Sequence, residues 1–320
     1  MSKIPPRNIL VLAGGISHER DVSLRSGRRV GEELQRAGHR VTHRDPDAGL
    51  LASLDHQSFD AVWPALHGAS GEDGSLQALL RTKGVTYLGA HSEAAALAWH
   101  KPTAKTLVSR AGIDTPEWIT LPTETFRELG AGSVLSEVLQ SIGEAAVVKP
   151  SRGGSAQGVT IIDGPADLPR AMVQAYAYSE SAFIERKVSG TELAITVVDS
   201  GEGPRALPAV EIVPRSGVYS FEARYNAGET TFYAPARIDA DAAEHASRVA
   251  VAIHELLGLR HFSRIDLIVD ADGRPWFLEA NVIPGTTETS LMPMAIEADG
   301  QRLSAFYSAL VEAAVAHAVA

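Results

Sequence analysis

The chain has 320 residues, a formal charge of −10 and 45% hydrophobic content, which fits two or three ordinary globular domains. The acidic balance argues against nonspecific binding to nucleic acid or to anionic membranes, and the absence of cysteine excludes disulfides, thiolate catalysis and Cys-based zinc sites. No apolar run approaches the ~20 residues that span a bilayer; the N-terminal run stops at a glycine pair and reads as a first strand, so a soluble cytoplasmic protein is expected.

Residues 1–96 alternate strand and helix signals. Asn8 to Ala13 is an apolar strand ending at Gly14-Gly15. A helix follows to about Ala37, with Val22, Val30 and Leu34 on one side and Gly38 as its stop. Ala61 to Leu66 is another strand, and Leu76 to Leu80 lies in another helix. This alternation implies a parallel sheet with ligands at the strand C-terminal ends. Three polar loops fall there, at 14–24, 66–76 and 88–93. The first, GGISHE, lacks the spacing of a dinucleotide fingerprint. By itself Glu19 reads as a helix-start acid favoured by the dipole, and a lone His67 as structural.

In residues 97–186, Ala94 to Ala111 reads as a helix interrupted at Pro102, with Lys101 just before the break. Ala145 to Lys149 is a short buried strand. It runs into a Gly/Ser loop carrying Gly153, Gly154 and Ser155, between two strands. Glycines let backbone N–H groups approach phosphate oxygens, and Lys149 adds charge at the loop's start. No G-K-[ST] follows, so this is not a Walker A loop.

Residues 187–320 begin with strands at Thr191–Val198 and Ala206–Val213. The segment 216–236 is a long polar loop with aromatic residues, the profile of a lid. Asp241 to Leu257 is an amphipathic helix stopped by Gly258. Phe262–Asp270 and Trp276–Asn281 form a hairpin around the turn DADG. If Asp270 pairs with Pro275, then Asp266 faces Glu279, and alternation places Phe277, Glu279 and Asn281 on one face. Arg264 shares the face of Asp266. Two close carboxylates repel unless compensated; a hard cation such as Mg²⁺, which takes oxygen ligands together with substrate phosphates, resolves the conflict. Leu303, Phe306, Leu310 and Ala314 mark a final helix.

The hairpin motifs R-x-D and L-E-x-N are followed by P-G-x-T-x-x-S-L-x-P at 284–293. Upstream stand G-G-x-S-x-E-x-x-V-S-L at 14–24, L-H-G-x-x-G-E-D-G at 66–74, V-K-P-S-x-x-G-S at 148–155 and Y-x-x-E-A-R-Y at 219–225. In this order they resemble the D-alanine–D-alanine ligases of the ATP-grasp superfamily. The resemblance implies an α/β and α+β ATP-grasp fold behind an N-terminal parallel-sheet domain, divided as 1–96, 97–186 (central lobe) and 187–320 (C-terminal lobe with metal site and lid). It implies ATP-dependent joining of two D-alanines through an acyl phosphate, for peptidoglycan precursors, by a cytoplasmic homodimer using two Mg²⁺ ions, with Mn²⁺ as the alternative metal. D-alanine and ATP are then the only partners, with neither nucleic acid nor membrane.

The same resemblance implies the residue roles. Asp266, Glu279 and Asn281 hold the metal, and Lys101 and Lys149 the phosphates. Glu185, Arg186 and Val188 contact adenine, and Glu192 the ribose. Glu19 takes the first ammonium, with His67 lining that pocket. Arg264 and the Gly153-Gly154 loop stabilise the tetrahedral centre. Gly285, Ser290 and Leu291 N–H bind the second substrate. Ser155 and Tyr225 tie substrate to lid, and Arg224 stands for the lid lysine. Tyr225 favours a dipeptide over a depsipeptide. The chain departs from the family pattern at His100, Ala156-Gln157, Lys187, Thr286 and Thr289. Alternatives are a ligase with another acceptor (D-lactate, D-serine or a specialised amino acid) and a nucleotide-binding regulator without turnover.

Overall fold

The run NILVL is apolar throughout, which suits a strand covered on both faces. In the computed structural model, which describes residues 5–226 and 228–319 (backbone alone for Ala131, Tyr225 and 317–319), it forms β1 (Asn8–Leu12). β1 is the centre of a parallel sheet ordered β2-β1-β3, with β2 (Arg40–Arg44) and β3 (Ala61–Pro64) as its neighbours. The helix Arg20–Arg36 buries Val22, Val30 and Leu34, as helical periodicity requires. The final helix, Leu303–Val319, closes the same core. Tyr307 meets Trp63 of β3 at 5.0 Å between ring centroids, and Phe262 stacks on Trp63 at 5.7 Å. Three distant parts of the chain thus share one aromatic cluster.

A second sheet contains β4 (Trp118–Pro122), β5 (Ala146–Pro150), β6 (Thr160–Ile162) and β7 (Ser181–Arg186), antiparallel in the order β4-β7-β5-β6. Helices Ala131–Ile142 and Leu168–Tyr176 cover one of its faces through Val138, Ile142, Leu168 and Met172. A third sheet contains β8 (Thr191–Val198), β9 (Arg205–Ala206), β10 (Val210–Pro214), β11 (Thr230–Tyr233), β12 (Phe262–Val269) and β13 (Pro275–Asn281). Its order is β11-β10-β8-β12-β13, with β9 beside β8. Helices Ser92–Trp99, Lys101–Arg110 and Ala240–Leu256 contribute to the core beneath it. The break between the first two falls at His100, which is extended. Pro102 sits in the first turn of the second, where its missing N–H costs nothing. Among the described residues, no helix is long and apolar enough to cross a membrane.

Three local expectations are corrected. Ala206 to Val213 is two strands, because after Leu207, whose N–H still donates to Thr196 O, Pro208 has no N–H to offer the ladder. The segment 216–236 is not structureless. It holds a short helix, Phe221–Tyr225, capped by the Ser220 hydroxyl accepting from Ala223 N–H, and β11, which pairs with β10. In the hairpin, Val269 rather than Asp270 faces Pro275. The Asp270 carboxylate accepts from the N–H groups of Asp272 and Arg274 and from the Trp276 indole, so this residue belongs to the turn.

A β-bulge at Leu278 then restores the register, so that Asp266 does face Glu279. The bulge also separates Phe277 from Glu279. Phe277 pairs with Leu267 and is fully buried in the core beneath the sheet, while Leu278 and Glu279 both meet the cleft on the other side.

His254, on the helix behind β12, is buried and shares a hydrogen bond with Ser263 Oγ at 2.8 Å. Burial pushes its pKa from 6.5 down to about 4. The neutral folded form therefore contributes stability that is complete above about pH 6.5 and is lost as pH falls through about 4, roughly 3 kcal/mol in all. Urea unfolding should show a steeper fall in stability between these limits for the wild type than for His254→Gln. Parallel curves would remove His254 from the acid response.

Candidate active site

The second and third sheets face each other across a cleft of about 380 Å³. One wall is built by Val147 and Lys149 of β5, Ile161 of β6 and Glu185 of β7; the other by Glu192 of β8, Asp266 and Ile268 of β12, and Leu278 and Glu279 of β13. Alternation on β5 and β12 aims their residues inward, and the bulge on β13 turns both Leu278 and Glu279 to the cleft. Lys101, Gly153, Gly154, Arg186, Val188 and Arg224 complete the lining. All residues expected at the nucleotide therefore border one cavity.

Its most buried charges compensate one another. Lys101 Nζ reaches Gly153 O at 2.6 Å and Glu279 Oε2 at 3.2 Å, tying the Gly/Ser loop to the hairpin. Burial opposes ionisation of Glu279, but Lys101, Lys149, Arg224 and Arg264 outweigh it and hold its pKa near about 2. Glu185 is 1% exposed and pairs with two lysines, Lys149 on one oxygen and Lys105 on the other. Burial would raise Glu185; the two ammonium groups reverse that and keep it below the ordinary carboxylate range. Lys105 itself is driven by burial down to about 8. Among the described residues Glu192 has no such ion-pair partner, and burial lifts it to about 7 against the pull of Arg224.

The donor set at the hairpin fits a hard divalent cation. Asp266 and Glu279 face each other across the strands, and the Asn281 amide lies 3.1 Å from Asp266 Oδ2. Among the described residues, no three His, Cys, Asp or Glu side chains are placed to hold a metal alone. Two carboxylates and an amide oxygen leave coordination positions for phosphate and water, as Mg²⁺ prefers.

A second cavity, about 60 Å³, adjoins the first and shares Gly154, Tyr219 and Arg224 with it. Glu19, His67, Ser155, Arg264, Gly285, Ser290 and Leu291 all line it. Glu19 is the residue before the helix Arg20–Arg36, and its carboxylate does not cap that helix; it accepts from Ser155 Oγ across 136 residues of chain. Gly68 makes room for it. That glycine has φ +74, and a Cβ there would lie 2.8 Å from Glu19 Oε2. His67 shares hydrogen bonding with Ser26 Oγ at 2.9 Å and stands 3.5 Å from Glu72, whose carboxyl is raised by burial despite that contact.

Arg264 holds Asp266 through two bonds, Nε–Oδ1 at 2.7 Å and Nη2–Oδ2 at 2.9 Å. The arginine lines the smaller cavity and the aspartate the larger. Gly285 packs on Ser290, where a Cβ would come within 2.8 Å of the hydroxyl. Leu291 opens the helix Leu291–Ala298, so its N–H has no partner within that helix.

The side chain of Tyr225 lies outside the described residues. Tyr219, which sequence reasoning did not assign, lines both cavities, with the Arg224 guanidinium 4.2 Å over its ring. Its place at the head of Y-x-x-E-A-R-Y was the available signal. Lys105 and Glu72 were also unassigned. Lys105 stands one helical turn after Lys101, on the side that faces β7.

The sequence pattern of the family described as D-ala D-ala ligase C-terminus matches residues 107–312. The D-alanine–D-alanine ligase of Magnetococcus marinus is 37% identical over 295 residues, covering 92% of this chain and 93% of that protein. The VanG D-Ala:D-Ser ligase from Enterococcus faecalis superposes with TM-score 0.83 at 26% identity, over 97% of this chain and 100% of that one. The D-alanine–D-alanine ligase from Bacillus anthracis complexed with ATP superposes with TM-score 0.80 at 24% identity, over 98% of both chains. The fold is that of the ATP-grasp ligases, and the chain belongs to the D-alanine–D-alanine ligase family.

Proposed function

We propose that this ATP-dependent ligase joins two D-alanines through an acyl phosphate and so supplies the dipeptide for peptidoglycan precursors. The observation that carries the reading is the shared wall of the two cavities. Gly154, Tyr219 and Arg224 border both, so a carboxylate in the smaller one would lie next to the terminal phosphate in the larger. The three-part division at 96/97 and 186/187 belongs to the same proposal; each part contains one of the three sheets, and β7 ends at the second boundary.

In this reading Lys101 and Lys149 hold the phosphates, and Glu192 faces the ribose. Divalent cations bound by Asp266, Glu279 and Asn281 would neutralise charge on the phosphate oxygens. Glu19 fixes the ammonium of the first D-alanine, which aims its carboxylate oxygen at the terminal phosphorus; the acyl phosphate forms as the bond to ADP breaks. Arg264 and the N–H groups of the Gly153-Gly154 loop face the carbonyl carbon as its oxygen gains charge. Ser290 and Leu291 N–H hold the second carboxylate and leave its amine free to attack. Phosphate then departs as the peptide bond forms, and the attacking nitrogen gives up one proton. Closure over the reaction falls to the segment carrying Tyr219, Arg224 and Tyr225.

Phosphate release measured across D- and L-amino acids and D-lactate should require D-alanine. With equal D-alanine and D-lactate near neutral pH, mass analysis should find mainly D-alanyl-D-alanine; mainly D-alanyl-D-lactate would overturn the choice of acceptor, and ATP turnover independent of any amino acid would overturn the ligase reaction itself. Glu279→Gln should still fold, with a lower thermal midpoint because Lys101 loses its ion pair, and should lose turnover by about a hundredfold or more, since a misheld cation forfeits several kcal/mol of charge stabilisation. Near-normal turnover would remove Glu279 from the metal set. Amide exchange across 216–236 should slow when ATP and D-alanine are both present; equal protection in the free protein would mean that the segment does not act as a lid.

A further inference from the structure

Lys105 is a charged side chain with 0% exposure, and it lines neither cavity. Its ammonium is enclosed by the rings of Trp118 at 5.6 Å and Phe183 at 5.3 Å, with Pro116 O at 3.5 Å. Among the described residues its ion-pair partner is Glu185 Oε2. The other charged groups that act on it are Lys149 on β5, Glu279 on β13 and, more weakly, Glu117 just before β4. Burying an ammonium costs several kcal/mol before pairing, so a lysine that touches no ligand calls for a local physical role.

That role follows from Glu185. Its carboxylate borders the nucleotide cavity, and burial favours its neutral form. An ionised carboxylate only accepts hydrogen bonds, whereas a protonated one also donates. Lys149 opposes protonation, but it too lines the cavity, where phosphate oxygens would draw its ammonium. Lys105 cannot be drawn away, because nothing reaches it. It is the permanent counter-charge, and each carboxylate oxygen that accepts a lysine N–H keeps a further lone-pair direction open.

We infer that Lys105 is a positioning residue that keeps Glu185 a pure acceptor facing the nucleotide base, and thereby sets a preference for 6-amino over 6-oxo purines. This rests on the nucleotide-site reading and on Glu185 contacting the base. A 6-amino group donates to the carboxylate. A 6-oxo group presents a second acceptor and is repelled unless Glu185 is protonated.

The test is equilibrium titration of the full chain with ATP and with ITP in the presence of Mg²⁺, which needs no turnover. Wild type should bind ATP tighter than ITP by about tenfold or more, the scale of one hydrogen bond to a charged group. Lys105→Met should bring the two within about threefold, chiefly by weakening ATP. Lys105→Gln is a polar alternative should the methionine variant not fold. Glu185→Gln should lose the preference as well, and Lys105→Met combined with Glu185→Gln should lose no more than Glu185→Gln alone, because the lysine acts through the carboxylate. Absence of ATP binding by the wild type would overturn the nucleotide-site reading. Equal ATP and ITP binding by the wild type, an unchanged preference in folded Lys105 variants, or an equal loss for both nucleotides would overturn the role given to Lys105. Failure of both Lys105 variants to fold would make the lysine a core element and overturn it likewise.

Discussion

Arg264 and Asp266 stand two residues apart on one strand, and their double hydrogen bond joins the two cavities. Both are buried. An unpaired ion at such depth would be several kcal/mol less stable than in water, and removal of one partner from a buried pair is destabilising by about 3–5 kcal/mol. The pair therefore locks both side chains into one geometry before any ligand arrives. An arginine faces the amino-acid side and a carboxylate the phosphate side, on a strand hydrogen-bonded to neighbours on both edges. The rigidity needed at the junction comes from the centre of the sheet rather than from a loop.

Around that junction, opposite charges alternate. Lys105, Glu185 and Lys149 form one chain of contacts, and Lys101 and Glu279 another. Neither would be tolerated as isolated ions in a site this dry, and together they explain why a protein of charge −10 presents cations to its cleft. The excess acid is carried elsewhere. The lysines are positioned by β5 and by the helix Lys101–Arg110, elements of two different layers, so the charge arrangement also ties the second sheet to the third.

Loops supply what the sheets cannot. The Gly/Ser loop reaches Glu19 through Ser155, and the segment after β10 brings Tyr219 and Arg224 over both cavities. These contacts cross long stretches of chain and rest on a few hydrogen bonds each, whereas the hairpin rests on continuous ladders. The parts that must admit substrates are those with the fewest buried contacts.

Much of the fold was legible because its signals are local. The apolar run at 8–12, the periodic helix at 20–36, a helix break beside Pro102 and the turn at 270–273 each follow from the chemistry of neighbouring residues, although the break itself falls two residues earlier, at His100. The family was legible from motif order, since chemistry at phosphates and carboxylates restricts residue types at fixed spacings. Other features depended on packing. The bulge at Leu278 and the turning of Phe277 away from Glu279 accompany the burial of Phe277 in the core beneath the sheet, which alternation along the strand does not announce. The return of Tyr307 to Trp63, the contact of Ser155 with Glu19 and the burial of Lys105 against Glu185 join residues far apart in sequence. Local propensity carries no information about such partners; only the closing of three sheets around one cleft decides them.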